Sequence, residues 1–273
     1  MMKAIHAAYF SPTGKTQTVC RLIADEIGAA LALPVLYDSF TLPAERDHKR
    51  SYSAEDLVVF ATPTYAGRVP NKALPFVQNL FQGNGASAIA IVTFGNRSYD
   101  NSLKELVHEL TEHGFRVIGA AAVVCEHSFA GIGTGRPDEG DREKLNALAE
   151  AVVVKIKNAK DAPLAVSAVP GKEPPWTYYQ PTGIDGEKTV FLKALSVVDE
   201  TRCDRCGICA SHCPVGSIPF EAPDTTKGIC IKCQACVRFC PQDARSFQDA
   251  AFLSHKAMLE ATYARAAKTE TFR

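Results

Sequence analysis

Apolar and polar positions in the first part of this chain follow two alternating periods. Short apolar runs bounded by turn residues fall at Ala4–Tyr9, Val35–Tyr37, Leu57–Ala61, Ala88–Phe94 and Val117–Cys125, and each reads as a strand. Between them, apolar residues recur at helical spacing: Val19, Leu22, Ile23 and Ile27 in one stretch, Leu103, Leu106, Val107 and Leu110 in another. A further helix starts near Pro137 and Asp138 and carries Leu145, Leu148, Val152 and Ile156. The charged stretch Thr41–Asp56 is only weakly helical, so a short or degraded helix is expected there. Strands alternating with helices predict a parallel sheet covered on both faces. Five strands fit a doubly wound α/β sheet of order 2-1-3-4-5.

The pattern changes after residue 160. Pro163, Pro170, Pro174, Pro175 and Pro181 crowd together with Gly171 and Gly183, so residues 161–186 read as an extended linker. Its aromatics, Trp176, Tyr178 and Tyr179, are expected to pack along one domain or at the junction. Residues 1–160 thus form one domain and 187–247 a second, smaller one. Residues 248–273 form a terminal segment, in which Ala250–Ala267 reads as a helix docking back on the body through Phe252, Leu253, Met258, Leu259 and Tyr263.

Composition narrows the partners. The 273 residues carry 30 Lys+Arg against 30 Asp+Glu, a balance that argues against a nucleic-acid or membrane-surface partner. No apolar run approaches a membrane span, and the opening apolar run is too short, and too soon broken by Ser11-Pro12, for a signal peptide. A cytoplasmic protein is expected.

The chemistry lies in the cysteines. Cys203, Cys206, Cys209 and Cys213-Pro214 form a C-x2-C-x2-C-x3-C-P run, and Cys230, Cys233, Cys236 and Cys240-Pro241 repeat it. Three thiolates two residues apart wrap a loop round three corners of a cubane; the fourth corner comes from elsewhere. Zinc sites need only four ligands and favour paired C-x2-C knuckles, and disulfides belong to oxidising compartments. The spacing is instead the bacterial-type ferredoxin pattern for a pair of [4Fe–4S] clusters. That resemblance implies a small α+β domain in which the fourth cysteine of each run serves the other cluster. One ligand set is then Cys203, Cys206, Cys209 and Cys240, the other Cys230, Cys233, Cys236 and Cys213. Arg205, Lys232 and Arg238 lie between ligands, on what reads as a solvated face.

The first strand runs through Ser11, Thr13, Gly14, Lys15 and Thr16 into a helix, and such a Ser/Thr/Gly loop suits a phosphate. It lacks the first glycine of a Walker A loop, because position 9 is Tyr9. The loop resembles the phosphate loop of flavodoxins, which bind FMN. That resemblance extends to the loops after the third and fourth strands. Pro63, Thr64, Tyr65, Ala66 and Gly67 resemble the segment that lays an aromatic on one face of the flavin. In Thr93, Phe94, Gly95, Asn96 and Tyr99, Gly95 and Asn96 resemble the contacts to the polar edge and Tyr99 the second stacking aromatic. Lys15 replaces the family's usual Asn and adds charge near the phosphate, while Asn96 stands where many flavodoxins carry an acid.

Together the two halves resemble the fused flavodoxin–ferredoxin proteins of anaerobes, the EFR-type ferredoxins. The resemblance implies two [4Fe–4S] clusters and one FMN. Its expected function is electron transfer that links a low-potential one-electron donor to a partner reductase. An FMN-dependent reductase acting on a quinone, nitro compound or corrinoid is the alternative, with a redox sensor as a third reading. Redox partner proteins are expected, and a homodimer is open. His6, His108 and His113 read as structural or solvated. His127, near the presumed flavin mouth, is a candidate proton donor. Cys20 and Cys125 read as small buried hydrophobes. Gly131, Gly133 and Gly135 form a loop at the flavin rim without dinucleotide-binding spacing.

Overall fold

The computed structural model describes residues 2–158, 166 and 168–273. The first part of the linker, with Pro163, lies outside the described residues. The central sheet contains β1 (Ala4–Tyr9), β2 (Val35–Ser39), β3 (Asp56–Pro63), β4 (Ser87–Phe94), β5 (Arg116–Val124) and β6 (Glu270–Phe272). Its order is β6-β5-β4-β3-β1-β2. The first five strands are parallel, in the expected order 2-1-3-4-5. β4 is buried along its whole length, because a central parallel strand is covered on both faces. Ile89 and Ile91 enter the core shared with α1 (Lys15–Leu31) and α4 (Glu139–Lys157). Ala88, Ala90 and Val92 enter the opposite core, which also takes residues of α2 (Leu74–Leu80) and α3 (Ser102–Glu112).

Local chemistry sets the element boundaries. α4 starts at Asp138, whose carboxylate accepts the Asp141 amide at 3.0 Å. The Asp141 carboxylate accepts the Asp138 amide at 2.9 Å, which makes a reciprocal cap. Between β2 and β3 the weak helical pattern yields only a 3₁₀ turn at Pro43–Arg46 and a short strand at Arg50–Ser51.

The cysteine-bearing half contains the short helices α5 (Ile208–Ser211) and α6 (Ala235–Arg238). A small antiparallel ladder there pairs Val197–Val198 with Arg245–Ser246. α7 (Ala250–Thr262) follows, capped by Asp249, which accepts the Phe252 amide at 2.8 Å. Phe252 packs against Phe129, Phe247 and Phe191 at ring distances of 4.7, 5.0 and 5.6 Å, docking the helix as expected.

The terminal segment departs from expectation. The helix read over Ala250–Ala267 ends at Thr262, and the chain returns as β6, antiparallel to β5. The sheet therefore has six strands rather than five. Asn96 causes the break. Its Nδ2 donates to Tyr263 O and Arg265 O, both at 2.7 Å, and its Oδ1 accepts the Ala267 amide at 3.0 Å. Backbone groups that would continue a helix are spent on this side chain. Thr269 Oγ1 then accepts the Val124 amide at 3.1 Å and guides the strand into place.

Asn96 is only 1% exposed, so truncation leaves the buried Ala267 amide and two part-buried carbonyls without this partner. Asn96→Ala is expected to cost about 1–3 kcal/mol in urea unfolding and to speed proteolysis after Thr262.

Candidate functional site

The end of β1 turns straight into α1 through Gly14, at φ +86°. A Cβ on Gly14 would meet no atom within 4 Å, so open space lies over the helix start. Ser11 Oγ accepts the Gln17 amide at 2.9 Å, and the buried Thr16 Oγ1 shares a 2.8 Å hydrogen bond with Thr93 Oγ1. Thr13 and Lys15 beside them are half-buried. First-turn amides lack i−4 carbonyl partners, and the positive end of the helix dipole points outward there. The donors and the space fit a phosphate. Lys15 contributes differently from expectation, because its ammonium pairs with Glu126 just beyond β5. Hydrogen bonding from Lys15 holds the Glu126 carboxyl below the usual range.

The loop after β3 is a tight reversal. Tyr65 and Arg68 exchange backbone hydrogen bonds of 2.9 and 3.2 Å, with Ala66 and Gly67 at φ 48° and 78° between them. A Cβ on Gly67 would overlap Asp100, so this turn packs directly on the loop after β4. The Thr64 amide donates to Thr93 O at 2.7 Å, and Thr64 Oγ1 meets Ser102 Oγ at 2.6 Å. Glu105, fully buried on α3, fixes the far side by accepting the Val69 amide at 3.0 Å and pairing with Arg68. Ser11–Thr16, Pro63–Gly67 and Thr93–Tyr99 therefore meet at one end of the sheet, at the carboxyl ends of β1, β3 and β4.

Two residues expected to face a flavin are engaged elsewhere. The Asn96 amide is spent on the terminal segment, which a short polar residue at φ +62° serves well. Tyr99 donates its hydroxyl to Glu270 on β6 at 2.5 Å and lays its ring against Phe94. The linker supplies another aromatic. Tyr179 donates its amide to Ala66 O at 2.8 Å, and the Arg97 guanidinium lies 3.9 Å from its ring centroid. Arg68 Nη1 donates to Trp176 O at 3.0 Å, so the linker straps the loop tips instead of swinging free.

Eight of the ten cysteines form two groups of four. Cys203, Cys206, Cys209 and Cys240 line one hollow of about 310 Å³, counting its open mouth. Cys213, Cys230, Cys233 and Cys236 line another of about 340 Å³. Each hollow thus takes its fourth cysteine from the other run. Among the described residues, no three His, Cys, Asp or Glu side chains converge enough to hold a single ion. Thiols spread round a hollow fit a cluster with metal at its corners better than a lone zinc. The repeat also recurs in the backbone. Arg205 and Lys232 have φ 56° and 55°, and Gly207 and Gln234 have φ 76° and 68°. The Ser217 amide donates to Cys213 Sγ and the Ala244 amide to Cys240 Sγ, each at 3.2 Å.

The groups differ in setting. Cys206 is exposed, whereas Cys233 and Cys236 are buried. The second group faces the sheet. Ile231 packs against a core of the sheet domain, and Arg46 Nη2 donates to Pro214 O at 2.9 Å. The Tyr65 phenol is pushed well up by burial and, next, by the charges of Cys233 and Cys230. Sequence reasoning missed Arg46, Arg68 and Glu105, because a lone charge in a helix or loop carries no periodic signal.

His127 Nδ1 accepts the Ala130 and Phe129 amides at 3.2 and 3.4 Å, which leaves the proton of the neutral ring on Nε2. The ring packs where a Cβ on Gly95 would overlap it. Burial, then the charges of His255 and Arg97, push it down to about 4. Near neutral pH it carries no imidazolium proton to give, contrary to the donor role considered from sequence. Cys20 and Cys125 are buried as expected, and burial raises the Cys125 thiol to about 12.

Residues 8–151 match the family described as Flavodoxin, and residues 196–218 match the 4Fe-4S binding domain. An archaeal flavodoxin is 17% identical over 57% of this chain and 99% of its own, with a TM-score of 0.42. For the flavodoxin of Streptococcus pneumonia TIGR4 the values are 21%, 56%, 99% and 0.41. For the rubredoxin oxygen:oxidoreductase of the anaerobe Desulfovibrio gigas they are 18%, 58%, 37% and 0.41. No curated protein matches the chain.

An unfolded histidine takes up its proton near pH ~6.5, whereas folded His127 resists until about 4. The unfolded state therefore binds more protons between those values, and stability falls as the pH falls through that window. His255, also lowered by burial, and Glu260 face the same ring from α7. In His127→Gln the urea midpoint should vary less with pH there, so the gap between wild type and variant narrows on acidification.

Proposed function

Because the chain belongs to the flavodoxin family through residues 8–151, we propose that it is a cytoplasmic electron-transfer protein of the fused flavodoxin–ferredoxin, EFR-type kind. It would hold two [4Fe–4S] clusters and one FMN and link a low-potential one-electron donor to a partner reductase. The observation that carries this reading is the seating of the second cysteine group on the sheet domain. Ile231, between Cys230 and Cys233, packs against that domain's core, and Arg46 Nη2 donates to Pro214 O at 2.9 Å, while Cys206 stands exposed in the other group. When bound, the clusters supply single-electron steps and the FMN accepts one electron or two.

The chain's own residues do the positioning. Ser11, Thr13, Gly14, Lys15 and Thr16 offer the phosphate a helix start rich in N–H and hydroxyl donors. Glu105 and Arg68 hold the Tyr65 turn in place, and Arg46 and Ile231 hold the second cysteine group on the sheet domain. Amide donors at Cys213 and Cys240 stabilise negative charge on those sulfurs. Trp176–Tyr179 lie over the loop tips. Loop tips covered this way favour electron transfer over direct reduction of a small substrate, which needs an open flavin face. Among the described residues, no helix is long and apolar enough to cross a membrane.

Anaerobic purification with iron, sulfide and flavin counted per chain tests the reading. About eight irons and about one FMN are expected, all reducible in a dithionite titration. Cys206→Ala should lower iron to about four per chain and keep the second group loaded. Zinc in place of iron, or no flavin, overturns the proposal.

A further inference from the structure

Arg245 is 4% exposed, yet no carboxylate among the described residues pairs with it. The neighbouring acids are engaged elsewhere: Asp243 with Arg202, Asp224 with Arg205, and Asp204 with Gln242. All its hydrogen bonds go to neutral oxygens. Nη1 donates to Ser196 Oγ at 2.7 Å and Thr226 Oγ1 at 2.9 Å, and Nη2 donates to Thr225 O at 3.0 Å and to Pro223 O. A buried cation without an opposite charge is costly, so something else must balance this one.

Its surroundings supply the answer. Arg245 lines the hollow of Cys203, Cys206, Cys209 and Cys240, and its partners Ser196 and Thr226 line the hollow of the second group, where Cys236 Sγ lies 3.6 Å from Ser196 Oγ. The repeat provides an internal control. Arg245 lies five residues after Cys240, and the residue five after Cys213 is Ile218, also buried at 4%. An apolar side chain therefore fills the equivalent place in the other repeat, and packing alone does not require a guanidinium.

Four thiolates and four sulfides outweigh the charge of the iron they bind, so a [4Fe–4S] cluster is anionic and gains charge on reduction. We propose that Arg245 is the counter-ion shared by the two clusters, a positioning residue whose charge favours their reduced forms and raises both midpoint potentials. This rests on the two-cluster reading above. The electron still comes from an external one-electron donor; Arg245 changes only the stability of the state that receives it.

The test uses the full chain, purified anaerobically, with iron counted and both clusters followed by EPR in a redox titration. Arg245→Gln and Arg245→Ile should move both midpoints to more negative values, and Arg245→Lys should keep them near wild type. If Arg245→Gln holds full iron with unchanged midpoints, the inference fails. Should Arg245→Gln lose iron while Arg245→Lys keeps it, the charge is confirmed as the requirement. Loss of iron from all three variants makes Arg245 a hydrogen-bonding staple and overturns the inference. Wild type without two clusters overturns the underlying reading instead, and the iron count of the unmodified chain reports that separately.

Discussion

A half-molecule with little apolar core must be held from outside, and this constraint sets the path of the whole chain. The cysteine-bearing part buries Cys209, Ala210, Ile218 and Cys236 in one small cluster, and its Ala194 and Phe247 join Phe252 of α7 in another. Its anchorage comes from the sheet domain. Ile231 enters that domain's core, Arg46 grips Pro214, and the α7 aromatics clamp Phe129 beside the loop after β5. The terminal strand closes the circuit on β5. Each fastening falls on or near the loops at the carboxyl ends of the strands. The grip that holds the small half therefore also shapes the place where an open α/β sheet binds its ligand.

Buried charge is handled in two ways in this structure. Glu105 with Arg68, and Asp141 with Arg136, are matched within the protein and tie loops to helices. Those pairs are scaffolding, since removing either partner strands the other. Arg50, Arg46 and Arg245 instead spend donors on neutral oxygens, and the last two do so at Pro214 and Ser196, which line a cysteine hollow. At Arg245 positive charge without a carboxylate thus lies beside the thiol groups, where metal-bound sulfur would place negative charge.

The strands were legible because each is a short apolar run and parallel sheets bury both faces. The crossed cysteine grouping was implied by the ferredoxin resemblance, and the two hollows bring together the same two sets of four side chains. The terminal segment was misread for a physical reason. Ala264, Ala266 and Ala267 favour helix locally, yet one side chain more than 160 residues away captures the backbone that helix would need. Tyr99 matched its expected position in sequence but turned toward Glu270, a partner visible only once β6 was placed. Lys15 read as a charge added near a phosphate, and its pairing with Glu126, just past β5, carried no signal in the sequence. Local pattern shows what a segment prefers. It does not show which distant group will claim it.

The strand β6 makes the cysteine half an insertion between two neighbouring strands of one sheet, not an appendage trailing from it. Glu270–Phe272 follows the sulfur-bearing stretch in the chain, so β5 keeps an unpaired outer edge until that stretch has been made. The outer seam of the sheet therefore cannot seal before the cysteine half has emerged, and sealing it encloses that half within a loop of the sheet.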